Sequence, residues 1–274
     1  MILANLLHCT AYGVPMCLAA ETPELFAELS SLLPFGTEMG SSANPAAQSF
    51  SLSSFGEVTR FRCCEGTEVL LESQDLTSVC DALRQALMIH VANYAEGYVF
   101  VHAGVVALNG KALVLPGTSF AGKSTLTAAL VRAGAAYYSD EYAVLDDEGF
   151  VHPYARDLSM RKPGDALQRS MPVSELGGSI GAGRLPVSMI VFTHYVKGSH
   201  WSAQSVSHGL ALLEMLKHSI PVQRTPIRVM ATLAAMLRNA TAWTSSRGEA
   251  DATSAALLAS LSCAHNNNNI QGLR

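Results

Sequence analysis

Lys123 and Ser124 close the octet Gly117-Thr118-Ser119-Phe120-Ala121-Gly122-Lys123-Ser124, which fits the spacing G-x-x-x-x-G-K-[ST]. A turn of this kind can wrap backbone N–H groups around phosphates, bring an ammonium to the β/γ-phosphates and offer a hydroxyl to Mg²⁺. Thr125 continues the loop into the next element. Downstream, Asp140-Glu141 supplies two adjacent carboxylates, and upstream His102 interrupts an apolar run. Phosphoryl transfer needs held phosphates, a metal, and a group that orients and deprotonates the acceptor. The loop provides the first and Ser124 a metal-facing hydroxyl. Of the two acids, one could reach Mg²⁺ and the other the acceptor hydroxyl. Plainer alternatives stand beside this reading: a glycine turn in a βα unit, a solvated acidic strand end and a core histidine.

The flanking residues predict a suitable frame. Ala112-Leu113-Val114-Leu115 reads as a strand entering the loop, and Ser124 through Val131 as a helix leaving it. A helix N-terminus adds free N–H groups and a positive dipole end. Before the entering strand lies another, 99–108, joined through Asn109-Gly110. Asn-Gly between apolar runs is the strongest short-range hairpin signal, so these strands pair antiparallel and the sheet is mixed. A strand over Tyr137–Leu145 is expected to carry the acids, where neighbouring side chains point to opposite faces unless the strand is irregular. Asp146, Asp147, Glu148 and Gly149 read as a turn, and 150–154 as the returning strand. Residues 155–183 read as a long loop or flap, on which Arg156, Arg161 and Lys162 are solvated charges or a closing guanidinium that stabilises transferred phosphate. Val187–Val196 is a buried strand candidate. Beyond it the chain reads as helical, at 210–216, 225–237 and 255–261.

The first stretch of chain reads as a separate lobe. A strand is expected at 12–18, then a helix capped by Thr22 with Pro23 at its first position. Residues 36–51 look loop-like, and strands follow at 58–61 and 68–72. A long amphipathic helix from about 77 to 96 places Val79, Leu83, Leu87, Val91 and Tyr94 on one face, and Gly97 ends it.

The 274 residues are 49% hydrophobic and 15% charged, which describes a globular chain with a substantial core. A net charge of −4 without a Lys/Arg cluster argues against nucleic acid as a partner. Apolar stretches fall short of the ~18–20 residues of a membrane span, and the N-terminal residues show no basic region or cleavage site of a signal peptide. The six cysteines lack C-x-x-C spacing and read as thiols of a reducing compartment, so a cytoplasmic location is expected.

Taken in order, His102-Ala103-Gly104, the hairpin, the 117–124 loop and Ser139-Asp140-Glu141 resemble the catalytic domain of bacterial HPr kinase/phosphorylase. They are more similar still to HPr-kinase-related proteins of peptide-modifying clusters, including the lasso-peptide kinases. Residues 157–164, Asp-Leu-Ser-Met-Arg-Lys-Pro-Gly, resemble a further stretch of those relatives, and the likeness spans about residues 98–165. It implies an α/β fold, the phosphate-loop domain of the phosphoenolpyruvate-carboxykinase type with a mixed sheet. It implies Asp140 as the base for a serine hydroxyl, Glu141 as the metal-linked acid and His102 as the histidine near the base. Phe120 stands where the family usually has glycine, and Glu141 replaces a second aspartate.

These readings give an N-terminal α+β lobe over 1–97, a kinase-like domain with C-terminal helices over 98–262 and a flexible tail over 263–274. The expected activity is ATP- and Mg²⁺-dependent phosphorylation of a serine in a peptide or small protein. Asp140, Lys123, His102 and Arg161 are the candidate catalytic residues. Residues Gly117 to Thr125 would bind nucleotide, and Ser124 with Glu141 the metal. A nucleotide-binding regulator and a small-molecule kinase are the rival readings. No nucleic acid or membrane partner is expected, and self-association is suggested by resemblance alone.

Overall fold

A computed structural model of the chain describes residues 5–40, 44–117, 122–160 and 169–263. Thr118, Ser119, Phe120, Ala121, Arg161, Lys162 and the tail beyond 263 therefore lie outside the described residues. The chain is α/β with mixed sheets and divides into two compact units, Met1–Gly97 and Tyr98–Arg274.

The first unit is a six-stranded sheet carrying two helices. Its elements are β1 (Asn5–Ala11), β2 (Val14–Ala20), α1 (Pro23–Ser31), β3 (Thr37–Gly40), β4 (Gln48–Phe55), β5 (Arg60–Glu65), β6 (Glu68–Ser73) and α2 (Leu76–Tyr94). The strand order is β3-β1-β2-β4-β5-β6, with only the β2–β4 pair parallel. One strand expected over 12–18 is in fact the β1–β2 hairpin, turned at Tyr12-Gly13, both with positive φ. The region taken as loop contains β3 and the start of β4. Its serines and glycine conceal a strand whose inward residues Phe50 and Leu52 are fully buried. Thr22 caps α1, accepting from the Leu25 N–H at 3.3 Å, and Asp75 caps α2. His90 stacks on Tyr94 and faces Glu65 at 3.3 Å, a packed helix residue.

The second unit has three layers. Its strands are β7 (Tyr98–Leu108), β8 (Lys111–Pro116), β9 (Ala136–Ser139), β10 (Tyr142–Asp146), β11 (Phe150–His152), β12 (Leu158–Met160), β13 (Arg169–Met171), β14 (Leu185–Tyr195), β15 (Gln204–Val206) and β16 (Thr241–Arg247). Its helices are α3 (Lys123–Arg132), α4 (His208–His218), α5 (Pro226–Leu237) and α6 (Ala250–Cys263). The large sheet runs β11-β10-β7-β8-β14-β16-β15, with β9 beside β7. The β7–β8 hairpin is antiparallel, with Leu108 opposite Lys111 and both Asn109 (φ 52) and Gly110 (φ 74) left-handed. That is the backbone a two-residue turn needs to match strand twist. From β8 onward the sheet becomes parallel, through β14 to β16.

Strand alternation sorts side chains to the two faces. Val101, Ala103 and Val105 of β7 join the core under α4 and α5, together with Met215 and Leu233. Val106, Leu113 and Leu115 pack instead against Leu126 and Leu130 of α3 and Leu257 of α6. The even-numbered positions of β7, His102 among them, therefore share the α3 face.

Three expectations about the second unit are corrected. The chain after β14 is not wholly helical, because β15 and β16 enter the sheet; Thr241–Arg247 is polar in composition and becomes a strand by pairing with β14 and β15, with Ala242, Ser245 and Arg247 buried. The strand expected over 137–145 is broken into β9 and β10, which lie in tandem along β7. The 155–183 segment also contains β12, β13 and a short 3-10 turn over Val173–Leu176.

Candidate functional site

The break between β9 and β10 falls at Asp140-Glu141. Ser139, fully buried, turns its hydroxyl to accept from the Glu141 N–H at 3.1 Å and the Tyr142 N–H at 3.0 Å. This local side-chain bond replaces ladder pairing, as serine readily does at turns. The Ala103 N–H donates to the Glu141 carbonyl at 3.2 Å, which ties the break to β7 beside His102. The acids are thus released from strict alternation, and the charge of Lys123 acts on both.

At the opposite edge of β7, β8 delivers Gly117, whose N–H donates to the His102 carbonyl at 3.3 Å. The chain re-enters at Gly122, left-handed at φ 78 and the N-cap of α3, with no side-chain cap for the first amides. Lys123 opens the helix and folds back, donating to the Gly117 carbonyl at 2.8 Å and lying 3.4 Å from His102 Nε2. Ser124 follows, half-buried, and Thr125 is exposed.

The electrostatics follow from burial. Asp140 is only 9% exposed, and desolvation pushes its carboxyl up to about 7 against the lowering effects of the Ser124 hydroxyl, the Ser159 N–H and Lys123. Its Oδ2 accepts from the Ser159 N–H at 3.4 Å, while Oδ1 is buried with no hydrogen-bond partner among the described residues. Glu141 is also raised by burial, with Arg156 and Lys123 opposing. Burial lowers Lys123. His102 is brought down to about 4 by desolvation, Lys123 and His218, so the ring is neutral at pH 7. A lysine offers only donors, so the neutral ring presents Nε2 as acceptor to it.

The structure thus brings Gly117, Gly122, Lys123, Ser124, Asp140, Glu141 and His102 to one locality at the start of α3. Ser124 adjoins Asp140, whereas the sequence reading had grouped it with Glu141 at a metal. Asp146, Asp147 and Glu148 lie in the β10–β11 turn, where Asp146 accepts from the Glu148 and Phe150 N–H groups and pairs with His152 and Arg184. A cleft of about 340 Å³ adjoins the segment preceding Ser159, with Arg156, Asp157, Ser174 and Ile180 in its wall.

Two residues were missed by the sequence reading. His218 ends α4 next to Ser219, which bridges to Val101 of β7, and its pKa is lowered by burial with Lys123 and Lys217 opposing the charge. Arg247 ends β16 at 2% exposure, with Nη2 donating to the Gly122 carbonyl at 2.8 Å. A charged residue closing a strand parallel to the one that feeds the loop was the available signal, since ligands gather at such carboxyl ends. Recognising it required first seeing β16 as a strand.

Two observations bear on whether a nucleotide and Mg²⁺ suit these residues. Asp140 Oδ1 is buried without a hydrogen-bond partner among the described residues, the Ser124 hydroxyl acts on the same carboxyl, and hard oxygens of this kind suit Mg²⁺, while the uncapped amides of α3 suit an anion. Among the described residues no three His, Cys, Asp or Glu side chains cluster as a complete metal cage. Comparison of the chain with protein-family models and with curated proteins finds no match.

Proposed function

We propose that the second unit is a phosphate-loop phosphotransferase of the phosphoenolpyruvate-carboxykinase and HPr-kinase type, transferring the γ-phosphoryl group of ATP to a serine hydroxyl of a peptide or small protein. The observation that carries this reading is the meeting of Lys123, Ser124, Asp140 and Glu141 at the uncapped start of α3. The antiparallel hairpin feeding the loop and the parallel strands beyond it support the same fold type.

Lys123 and the amides from Gly122 onward would bind the β/γ-phosphates. Mg²⁺, when bound, spreads the charge of the phosphate oxygens, and Ser124 with an acid would hold it. Asp140 takes the hydroxyl proton as the serine oxygen bonds to the γ-phosphorus and the bond to ADP breaks. A base works best with a pKa near the operating pH, and a carboxyl pushed up to about 7 has that property. His102, neutral and next to Lys123, keeps the ammonium oriented without adding a competing cation.

The closeness of Ser124 to Asp140 favours a second assignment, with Asp140 on the metal side and Glu141, near Arg156, facing the acceptor. Asp140→Asn and Glu141→Gln separate the two. Under the first assignment Asp140→Asn lowers turnover ~10²–10⁴-fold and leaves the Mg²⁺ dependence of ATP binding unchanged; under the second it shifts that dependence.

The direct test incubates the protein with labelled ATP, Mg²⁺ and serine-containing peptides, with Lys123→Ala as control. Label on the peptide in the wild type alone is the expected result. ATP uptake without any transfer would leave a nucleotide-binding regulator, and label on a small hydroxyl compound only would leave a metabolite kinase. No nucleotide uptake would overturn the site itself.

A further inference from the structure

Arg247 is the bulkiest of the fully buried side chains, and its cation sits against the phosphate loop. Its own position is fixed from several sides. It pairs in register with Tyr195 of β14, its carbonyl accepts from the Val196 N–H at 2.8 Å, and its Nη1 donates to the Gly248 carbonyl at 3.1 Å. The guanidinium carbon lies 5.5 Å from the centre of the Tyr195 ring, and the Tyr195 hydroxyl donates to Glu249 at 3.0 Å. Arg247 Nε is buried with no hydrogen-bond partner among the described residues.

The Gly122 carbonyl accepts twice, from the Leu126 N–H at 3.2 Å and from Arg247 Nη2 at 2.8 Å. A trans peptide points its C=O and N–H to opposite sides. With the carbonyl held on the helix side, the Lys123 N–H must point outward, away from α3, where an anion would sit. A Cβ at position 122 would come within 2.4 Å of Arg247 Nη2, so the close approach depends on glycine there.

We propose that Arg247 is a positioning residue for the phosphate loop, fixing the Gly122–Lys123 peptide so that its N–H meets the nucleotide's phosphates. The inference rests on the nucleotide-site reading above. Arg247 reaches the loop only because β16 lies parallel to β14 and β14 parallel to β8, which brings three strand ends to one edge.

The test measures binding of ADP and of inorganic pyrophosphate by calorimetry, together with the melting temperature of the unligated protein. Pyrophosphate reads the phosphate subsite without base or ribose. Arg247→Met replaces the buried cation by an uncharged side chain of similar reach, a change that buried charges often tolerate. It is expected to weaken both ligands about 10–100-fold while the unligated melting temperature stays within about 3 °C. Arg247→Lys keeps the charge but cannot fork between the Gly122 and Gly248 carbonyls, and should recover only part of the affinity. Wild-type affinity for both ligands in Arg247→Met overturns the proposal; should that variant not fold, wild-type affinity in Arg247→Lys does so. A wild-type protein that takes up neither ligand overturns the nucleotide site together with this inference.

Discussion

Burial moves Asp140 and His102 in opposite directions, and both shifts have consequences for stability and rate. Asp140 has a folded pKa of about 7, above its ordinary 3.8. Its contribution is therefore full below about pH 4 and is lost as pH rises through 7. His102 has a folded pKa of about 4, below its ordinary 6.5, so its contribution is full above 6.5 and is lost as pH falls toward 4. Asp140→Asn removes the alkaline loss. The pKa of about 7 already contains the attraction to Lys123, so we expect ~2–4 kcal/mol of stabilisation at pH 8, read as a rise of ~6–12 °C in melting temperature, and a gain of no more than ~1 kcal/mol at pH 4.5. An equal effect at both pH values would show that Asp140 does not titrate between them. For the wild type, transfer to a peptide acceptor should rise with pH through about 7 to a plateau as Asp140 ionises. A rate flat from pH 5.5 to 8.5 would remove Asp140 from the base role.

At the scale of elements, the turns carry the most definite expectations. Gly149 closes the β10–β11 turn at φ 85, and a Cβ there would lie 2.3 Å from the Met236 backbone nitrogen of α5. Backbone on a packed helix cannot step aside, so Gly149→Ala should cost about 2–4 kcal/mol, measurable by urea unfolding. A loss below 0.5 kcal/mol would mean that α5 can move off the sheet. The sequence made the β7–β8 hairpin and the starts of α3 and α1 readable because each rests on neighbouring residues: Asn109-Gly110, Gly122-Lys123 and Thr22-Pro23. It did not reveal β16, because Thr241–Arg247 is polar and becomes a strand through its partners β14 and β15. Arg247 was hidden for the same reason, since its hydrogen bond to Gly122 spans 125 positions and exists only once three parallel strands are aligned. The Ser139 turn was half readable: the acids were legible, but the burial that turns the serine hydroxyl onto two amides was not.

At the scale of the whole molecule, each of the two compact units has its own core. The first buries Leu18, Leu29, Phe50, Leu83 and Leu87 around its six-stranded sheet. Of its cysteines, Cys9 and Cys63 are buried thiols that burial pushes up to about 11, which keeps them protonated packing groups in the native state. Every described residue of the candidate site belongs to the second unit. Among the described residues, no helix is long and apolar enough to cross a membrane. A ligand protects the amides it touches and those whose opening it disfavours. Hydrogen exchange with and without ATP and Mg²⁺ should therefore show slowing in two separated stretches, the start of α3 and the 139–160 segment with the Ser139 turn and the Ser159 N–H. Under Arg247→Met the slowing at α3 should shrink, while that around Ser139, which does not pass through the guanidinium, should persist as long as nucleotide saturates the protein. Protection confined to α3 would indicate that the acids stand apart from the bound phosphates, and the transfer reading would then give way to nucleotide binding alone.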